Sequence, residues 1–551
     1  MAATVARLIG GAGTGKTTEL LRIMDRVLPE IGDNPLRLGF ASFTRAARGE
    51  AVSRAATAWG VEEALLAREG WFRTIHSICY RLVGVQAGQM VTDSDADMEW
   101  ISNAIGVKVQ ATYDDDTGTV RYSGDGDAAA ALNCWSLARV TLRPLEEVVR
   151  RLSRCDTCLP AYGSVLSIAK RYEIAKRIDD RLDFTDLLYR PISIGHDPEN
   201  GPYNIGDSLP PPDVAVWLFD EQQDASPLLD LVCKWLVSAP SVRWGYIVGD
   251  PFQSIYGFAG SSSESFLGWP ASKERVMPKS YRCAKPILDL GEQCLRRMRS
   301  GYFDRGIAPA DHDGKVSRVS GLDAAVAEVN PEDDWLLIAR TNFQANRIAA
   351  AMHSANKPVR RTTSDDTPTI KVQGLATLYR LEHGEAVSGS EWRRAVALLP
   401  TVDKAREKML VRGAKTRWEN AEEAKAVDAI YPIAESLTAA GATPGLFEAI
   451  RSGDWASLVD DGRRWRESAQ RHGIALASVP RCRVGTIHSV KGAEADNVLL
   501  LTTTSNRVAN GAESEMQADE ESRIAYVAVT RARRNLCIVE DGYRGQPRME
   551  V

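Results

Sequence analysis

The sequence predicts an α/β protein with parallel sheets, and three stretches carry that prediction. Val5 to Ile9 is a short apolar run, followed by Gly10-Gly11-Ala12-Gly13-Thr14-Gly15-Lys16-Thr17 and then by apolar residues at helical spacing (Leu20, Leu21, Met24, Val27, Leu28). Val214 to Phe219 is a second apolar run, ending in Asp220-Glu221-Gln222-Gln223-Asp224. Tyr246-Ile247-Val248 is a third, and it opens onto Gly249-Asp250-Pro251-Phe252-Gln253-Ser254-Ile255-Tyr256-Gly257-Phe258. Each run reads as a buried strand with polar groups at its C-terminal end. Open parallel sheets hold their ligands at that edge.

A chain of 551 residues is too long for one hydrophobic core, so three or four domains are expected. Hydrophobic content of 44% and charged content of 26% are ordinary for a soluble globular protein. No apolar run approaches the roughly 20 residues that span a bilayer, and the N-terminal apolar segment is too short for a signal peptide. A cytoplasmic protein is expected, nucleoid-associated, or in the host cytoplasm if phage-encoded. A net charge of −5 with pI near 6.0 excludes a uniformly basic surface but leaves room for a local basic groove. The nine cysteines are scattered singly except for Cys155 and Cys158, a CxxC pair whose near neighbour is Cys134. Such a pair can be redox-active or half of a metal site. Without a second close pair, ordinary thiols are expected, and the odd count argues against a disulfide scaffold.

The first strand, glycine-rich loop and helix form G-x-x-x-x-G-K-T in its required setting. Glycines let backbone N–H groups converge on phosphate oxygens, and the helix N-terminus favours the same negative charge. Lys16 is placed to reach the β and γ phosphates of a nucleotide, and Thr17 to ligate Mg²⁺. Asp220 would hold the same ion through water, and Glu221 would orient or deprotonate the attacking water. An acidic pair alone is more often a solvated turn; here the strand before it is fully apolar and a phosphate loop accompanies it.

The stretch from Asp250 to Phe258 combines a carboxylate, an amide and two aromatics. Gln253 can sense a phosphate oxygen. Tyr256 and Phe258 can stack on unpaired bases of any sequence. Two arginine-bearing stretches follow, Ser280-Tyr281-Arg282 and Tyr526-Val527-Ala528-Val529-Thr530-Arg531-Ala532-Arg533. An arginine on a γ-phosphate can contribute roughly 10³–10⁵ in rate, although either arginine alone would read as a surface ion pair.

In that order, these motifs resemble those of the UvrD/Rep helicases of superfamily one. Further stretches are similar to the family's: Ser42-Phe43-Thr44-Arg45-Ala46-Ala47, Thr74-Ile75-His76, Leu182-Asp183-Phe184-Thr185-Asp186-Leu187-Leu188, Arg340-Thr341-Asn342-Phe343-Gln344, and Thr486-Ile487-His488-Ser489-Val490-Lys491-Gly492-Ala493-Glu494. The resemblance covers somewhat over half the chain and implies two RecA-like cores. It implies that ATP is held by Gly10 to Thr17 with Thr18, that Tyr281 stacks on adenine, and that Glu494 contacts the ribose. It makes Arg282 and Arg531 fingers reaching the γ-phosphate from across a cleft. Phe43, Tyr256 and Phe258 would form pockets for passing bases. Thr44, Thr74, His76, Arg340, Asn342, Thr486 and His488 would contact the strand. The chain departs from the family at Thr18, Phe258 and Ala259, which stand where arginine, tryptophan and arginine are usual. No glutamine precedes Gly10 to read adenine, and no match to the family's G-G-x-x-F-F-x-R-x-E segment follows Arg361.

The motif order places one core at residues 1–84 and 176–280, with an insertion at 85–175 holding acidic turns (Asp114-Asp115-Asp116, Gly124 to Asp127) and helices. A second core is expected at 281–372 and 480–551, with an insertion at 373–479 that is helical over Trp392 to Leu399 and Val402 to Leu437. Asp197 to Pro212, rich in glycine, proline and asparagine, reads as a long loop. Few residues follow Arg531, so a compact motor without an appended nuclease is expected.

The function expected is an ATP- and Mg²⁺-dependent 3′-to-5′ DNA helicase or single-strand translocase. It would act on single-stranded DNA and on single-strand/duplex junctions, as a monomer or weak dimer. One alternative is a translocase that displaces proteins or powers a larger complex without unwinding alone. Another is a nucleotide-gated single-strand clamp with negligible turnover, against which Lys16, Glu221, Arg282 and Arg531 all argue.

Overall fold

The computed structural model describes residues 3–551 except 43–44, 87, 115–118, 154–158, 363–367, 420–423, 426, 512–514 and 542–545. The chain divides into two compact units, Met1–His312 with Gly511–Val527, and Asp313–Asn510 with Ala528–Val551.

The first unit is built on a six-stranded parallel sheet. Its strands are β1 (Thr4–Ile9), β2 (Leu38–Ser42), β3 (Trp71–Thr74), β8 (Val216–Phe219), β9 (Trp244–Gly249) and β10 (Lys273–Val276). Their order is β10-β1-β9-β8-β2-β3, with every pairing parallel. β2 and β8 are buried along their whole length, as strands covered by helices on both faces must be. One face packs Leu20, Ile23 and Met24 of the helix Lys16–Val27 against Phe40 and Leu218. The other packs Trp217 and Phe219 against Leu228, Val232 and Leu236 of the helix Pro227–Val237.

The insertion near 85–175 has its own core around Ile101, Leu132, Trp135 and Tyr172. It carries a hairpin, β4 (Val109–Asp114) with β5 (Thr119–Gly124). Asp125, expected in an acidic turn, caps the helix Gly126–Val140 by accepting from Ala128 N–H at 3.1 Å. Cys155, Cys158, Asp115 and Asp116 lie outside the described residues. Cys134 is buried in this core, and burial pushes its thiol up to about 11. The long loop expected over 197–212 instead contains a second hairpin, β6 (Ile194–Asp197) with β7 (Gly201–Asn204). Asp197 Oδ1 accepts from the backbone N–H groups of Glu199 and Asn200, and Gly201 takes a φ of +80°, so a polar segment makes a tight reversal.

The second unit repeats the plan with β11 (Lys315–Ser320), β12 (Trp335–Ala339), β13 (Arg360–Arg361), β14 (Cys482–Thr486), β15 (Ala495–Leu501) and β16 (Ala532–Glu540), all parallel, in the order β11-β16-β15-β12-β14-β13. Its insertion packs around Trp392, Trp418 and Trp455. Gly389–Leu398 is helical there, but the helix expected over Val402 to Leu437 is not continuous. Arg406 and Gly413 take positive φ, Val402 bridges Lys408, and helix resumes at Ala414–Glu419 and again at Ala434–Ala439.

The first unit extends past the boundary expected at 280. Ser280 N–H donates to Ala308 O and Ala308 N–H to Pro278 O, both at 2.8 Å, fastening the segment after the Ser280-Tyr281-Arg282 motif to the first core. The helix Glu515–Val529 also belongs to the first unit as far as Val527. Among the described residues no helix is long and apolar enough to cross a membrane.

Candidate nucleotide site and strand-contact residues

The phosphate loop leaves β1 at Gly10 and enters the helix at Lys16, with Gly13 and Gly15 in the left-handed region at φ +69° and +76°. Gly13 is there for a second reason. A Cβ on it would fall 2.2 Å from Arg282 Cβ, so the loop and the Tyr281-Arg282 segment touch backbone to side chain. Tyr281 N–H donates to Gly13 O at 2.8 Å, and Ser280 Oγ donates to Ala12 O at 2.7 Å. Tyr281 leaves its ring 68% exposed beside this loop, as a stacking surface must.

Thr17 Oγ1 donates to Asp220 Oδ2 at 2.8 Å, and Lys16 Nζ lies 3.5 Å from Glu221 Oε1. Burial, with the Glu221 charge next to it, pushes the Asp220 carboxyl up to about 7. A hydroxyl and a buried carboxylate are hard oxygen donors of the kind Mg²⁺ takes alongside phosphate oxygens, so Thr17 and Asp220 fit the expected ion. No group of three or more His, Cys, Asp or Glu residues suited to a metal occurs among the described residues. Glu221 holds a left-handed backbone, φ +52° and ψ +36°, unusual for a residue with a Cβ.

Gln223, which the sequence motif contains but to which no role was assigned, links this site to the aromatic loop. Its Nε2 donates to Glu221 Oε2 at 2.6 Å, and its Oε1 accepts from Asp250 N–H at 3.0 Å. Gln253 follows in the turn that Asp250 caps and is buried. Tyr256 is buried, whereas Phe258 is 46% exposed; their rings meet edge to face at 6.0 Å, and Arg121 lies over the Phe258 ring at 5.1 Å.

A family model described as the UvrD/REP helicase N-terminal domain matches residues 2–272, and one described as the UvrD-like helicase C-terminal domain matches residues 467–541. The chain belongs to the UvrD/Rep helicase family. Members of this family are ATP-hydrolysing helicases, and this chain is one of them. It is similar to the ATP-dependent DNA helicase UvrD2 of Mycobacterium tuberculosis, at 25% identity over 96% of this chain and 76% of the relative. It is also similar to the putative ATP-dependent DNA helicase YjcD of Bacillus subtilis, at 22% identity over the same two shares. The ATP-dependent DNA helicase PcrA of Staphylococcus epidermidis matches at 22% over 56% of this chain and 40% of the relative.

The remaining residues singled out in this UvrD-type sequence separate by unit. Phe43 and Thr44 lie outside the described residues. Thr74 caps the helix Ile75–Val83 by accepting from Ser77 N–H at 3.3 Å. His76 is half-buried, its ring edge-on to Phe184 at 6.2 Å, and burial lowers it to about 4, so it is a neutral imidazole at physiological pH. Arg282 belongs to the unit that carries the phosphate loop, so the expectation that it reaches across from the other core is corrected; the close packing on Gly13 fixes it where it is. Glu494, Arg531, Arg340, Asn342, Thr486 and His488 belong to the second unit. There Arg531 is buried and donates from Nη1 to Ala493 O at 3.2 Å, and Glu494 Oε1 accepts from Arg533 at 2.5 Å. Thr486 Oγ1 accepts from Ser489 N–H at 3.2 Å, while Arg340 is partly exposed and Asn342 exposed beside the end of β12.

Proposed function

We propose that this helicase couples ATP hydrolysis to 3′-to-5′ movement along single-stranded DNA and to duplex unwinding. The observation that carries the proposal is Gln223, one amide that touches both the Glu221 carboxylate and the backbone of Asp250, where the aromatic loop begins. A change at the hydrolytic carboxylate is thereby transmitted to Tyr256 and Phe258 through two hydrogen bonds.

Lys16 Nζ, 3.5 Å from Glu221 Oε1, takes the β and γ phosphates. Glu221 orients a water and accepts its proton as it attacks the γ-phosphorus. Thr17 and Asp220 would hold Mg²⁺, which would supply positive charge to the phosphates. Gln253 senses the γ-phosphate, Arg282 and Arg531 stabilise the transition-state charge, Tyr281 stacks on the adenine, and Glu494 takes the ribose. On the strand side, Phe258 and Tyr256 stack on bases, with Phe43, while Thr44, Thr74, His76, Arg340, Asn342, Thr486 and His488 hold the backbone. Each base-pair step opened costs about 1.4 kcal/mol of stacking, which hydrolysis covers only if the aromatic loop and the carboxylate move together.

Strand displacement on duplexes with a 3′ or a 5′ single-stranded tail tests this reading. The expected result is ATP-dependent displacement from the 3′-tailed duplex and little from the 5′-tailed one. Equal displacement from both, or a 5′ preference, would refute the assigned direction.

A further inference from the structure

Behind the phosphate loop lies a buried polar group that none of the assigned roles uses. Tyr526, near the end of the helix Glu515–Val529, is fully buried. Its hydroxyl accepts from Ala12 N–H at 3.1 Å and from Arg305 Nη2 at 3.3 Å, and donates to Asp250 Oδ2 at 3.0 Å. A phenol offers one donor and two acceptor positions, and each has a partner here. Burial raises the phenol above its ordinary range, so the proton given to Asp250 stays on the oxygen. Arg305 and Asp250 form an ion pair at 2.6 Å with neither side chain exposed; the second Arg305 nitrogen reaches Glu292 Oε1 at 2.5 Å, and its guanidinium lies over the rings of Phe252 and Tyr526. All these residues belong to the first unit.

The loop is shaped to this group. A Cβ at Gly11 would fall 2.5 Å from Ile307 Cδ1, the movable tip of a side chain, and at an ordinary contact distance of 3.5 Å from the Tyr526 oxygen, so the loop lies directly against this group. Ala12 is held at both ends of its peptide, with its N–H on Tyr526 and its carbonyl on Ser280. Further contacts dock the same helix. Asp519 accepts from Arg299 N–H at 2.6 Å and Ser300 N–H at 3.2 Å, and Arg523 donates to Ser254 O, inside the aromatic loop, at 3.1 Å. Asp519, Arg523 and Tyr526 recur at spacings of four and three and so share one face.

We propose that Tyr526 is a positioning residue for triphosphate binding, whose hydroxyl sets the first turn of the phosphate loop by tying Ala12 to the Asp250–Arg305 pair. The loop then cannot change shape without shifting Asp250, the residue that opens the aromatic loop. This rests on the nucleotide use proposed above but concerns a residue to which that reading gives no role.

Tyr526→Phe keeps the ring and removes only the hydroxyl. Loss of one buried hydrogen-bonding group that preorganises ground-state binding is expected to raise KM for ATP about tenfold with kcat changed less than about twofold. Thermal unfolding without nucleotide is expected to stay near wild type. Equilibrium binding of Mg·ADP should weaken by the same factor, and this readout holds even if wild type fails to hydrolyse ATP, which would sink the functional reading and not this one. An unchanged KM and ADP affinity, or a fall in kcat at constant KM, would overturn the proposal. So would a variant that fails to fold, because the hydroxyl would then hold the core together instead of setting the loop.

Discussion

Gly13 shows how much of the nucleotide site rests on single side chains. Two constraints meet at it, a φ of +69° and a would-be Cβ 2.2 Å from Arg282. Left-handed backbone and overpacking each cost about 1–3 kcal/mol, and here the strain is relieved by opening the loop off Arg282. Gly13→Ala is therefore expected to weaken ATP binding by about one to two powers of ten, as read by titration with Mg·ATP, while the protein remains folded. Wild-type affinity in that variant would mean that the Tyr281-Arg282 segment does not brace the loop. Much at this scale was legible from the chain alone, because Lys16, Thr17, Asp220 and Glu221 lie in short motifs with apolar strands in front of them. Arg305 and Tyr526 were not. Arg305 lies outside every motif the sequence offers, and the Tyr526 hydroxyl finds partners 514 and 276 residues away. Local pattern carries no trace of such pairings.

Among the elements, the helices of the first insertion are joined to the core by charge. Arg139 on Gly126–Val140 and Lys176 on Tyr162–Ile178 meet Asp183 and Asp186, which cap and open the helix Phe184–Tyr189. Glu173 adds a third carboxylate. Two cations shared among three carboxylates, Asp183 buried and Asp186 and Glu173 partly so, hold Asp183 well below the ordinary range, through Arg139 and Lys176, while desolvation pushes Asp186 up. The Leu182 to Leu188 motif thus has a visible structural task, fastening the insertion. Removing one partner of a buried ion pair typically costs about 3–5 kcal/mol. Arg139→Ala should lower the unfolding free energy of the first unit by that amount, seen as an earlier thermal transition; an unshifted transition would show that the cluster contributes nothing net. The sequence reading identified this motif by resemblance but gave it no partner, since Arg139 lies over forty positions upstream. It also missed the β6–β7 hairpin and joined Val402 to Leu437 into helix. Glycine and asparagine hide a tight reversal in the first case. In the second, apolar spacing continues past Arg406 and Gly413 although their backbones turn left-handed.

Each of the two units of the molecule carries a six-stranded parallel sheet; parallel sheets in two cores are what the resemblance to the UvrD/Rep helicases implied. The division at His312 was not legible, because the backbone bonds between Pro278, Ser280 and Ala308 that extend the first unit leave no pattern in composition. A net charge of −5 makes bulk attraction to DNA weak but leaves room for a local basic groove; in the coupling proposed above, the aromatic loop grips the strand and the Gln223 bridge ties that loop to Glu221. The most direct test is the rate of ATP hydrolysis by wild type and Lys16→Ala without nucleic acid, with single-stranded DNA and with single-stranded RNA. Strong stimulation by DNA in the wild type, abolished by the substitution, is the predicted result. Hydrolysis indifferent to either strand would contradict the coupling of the two sites.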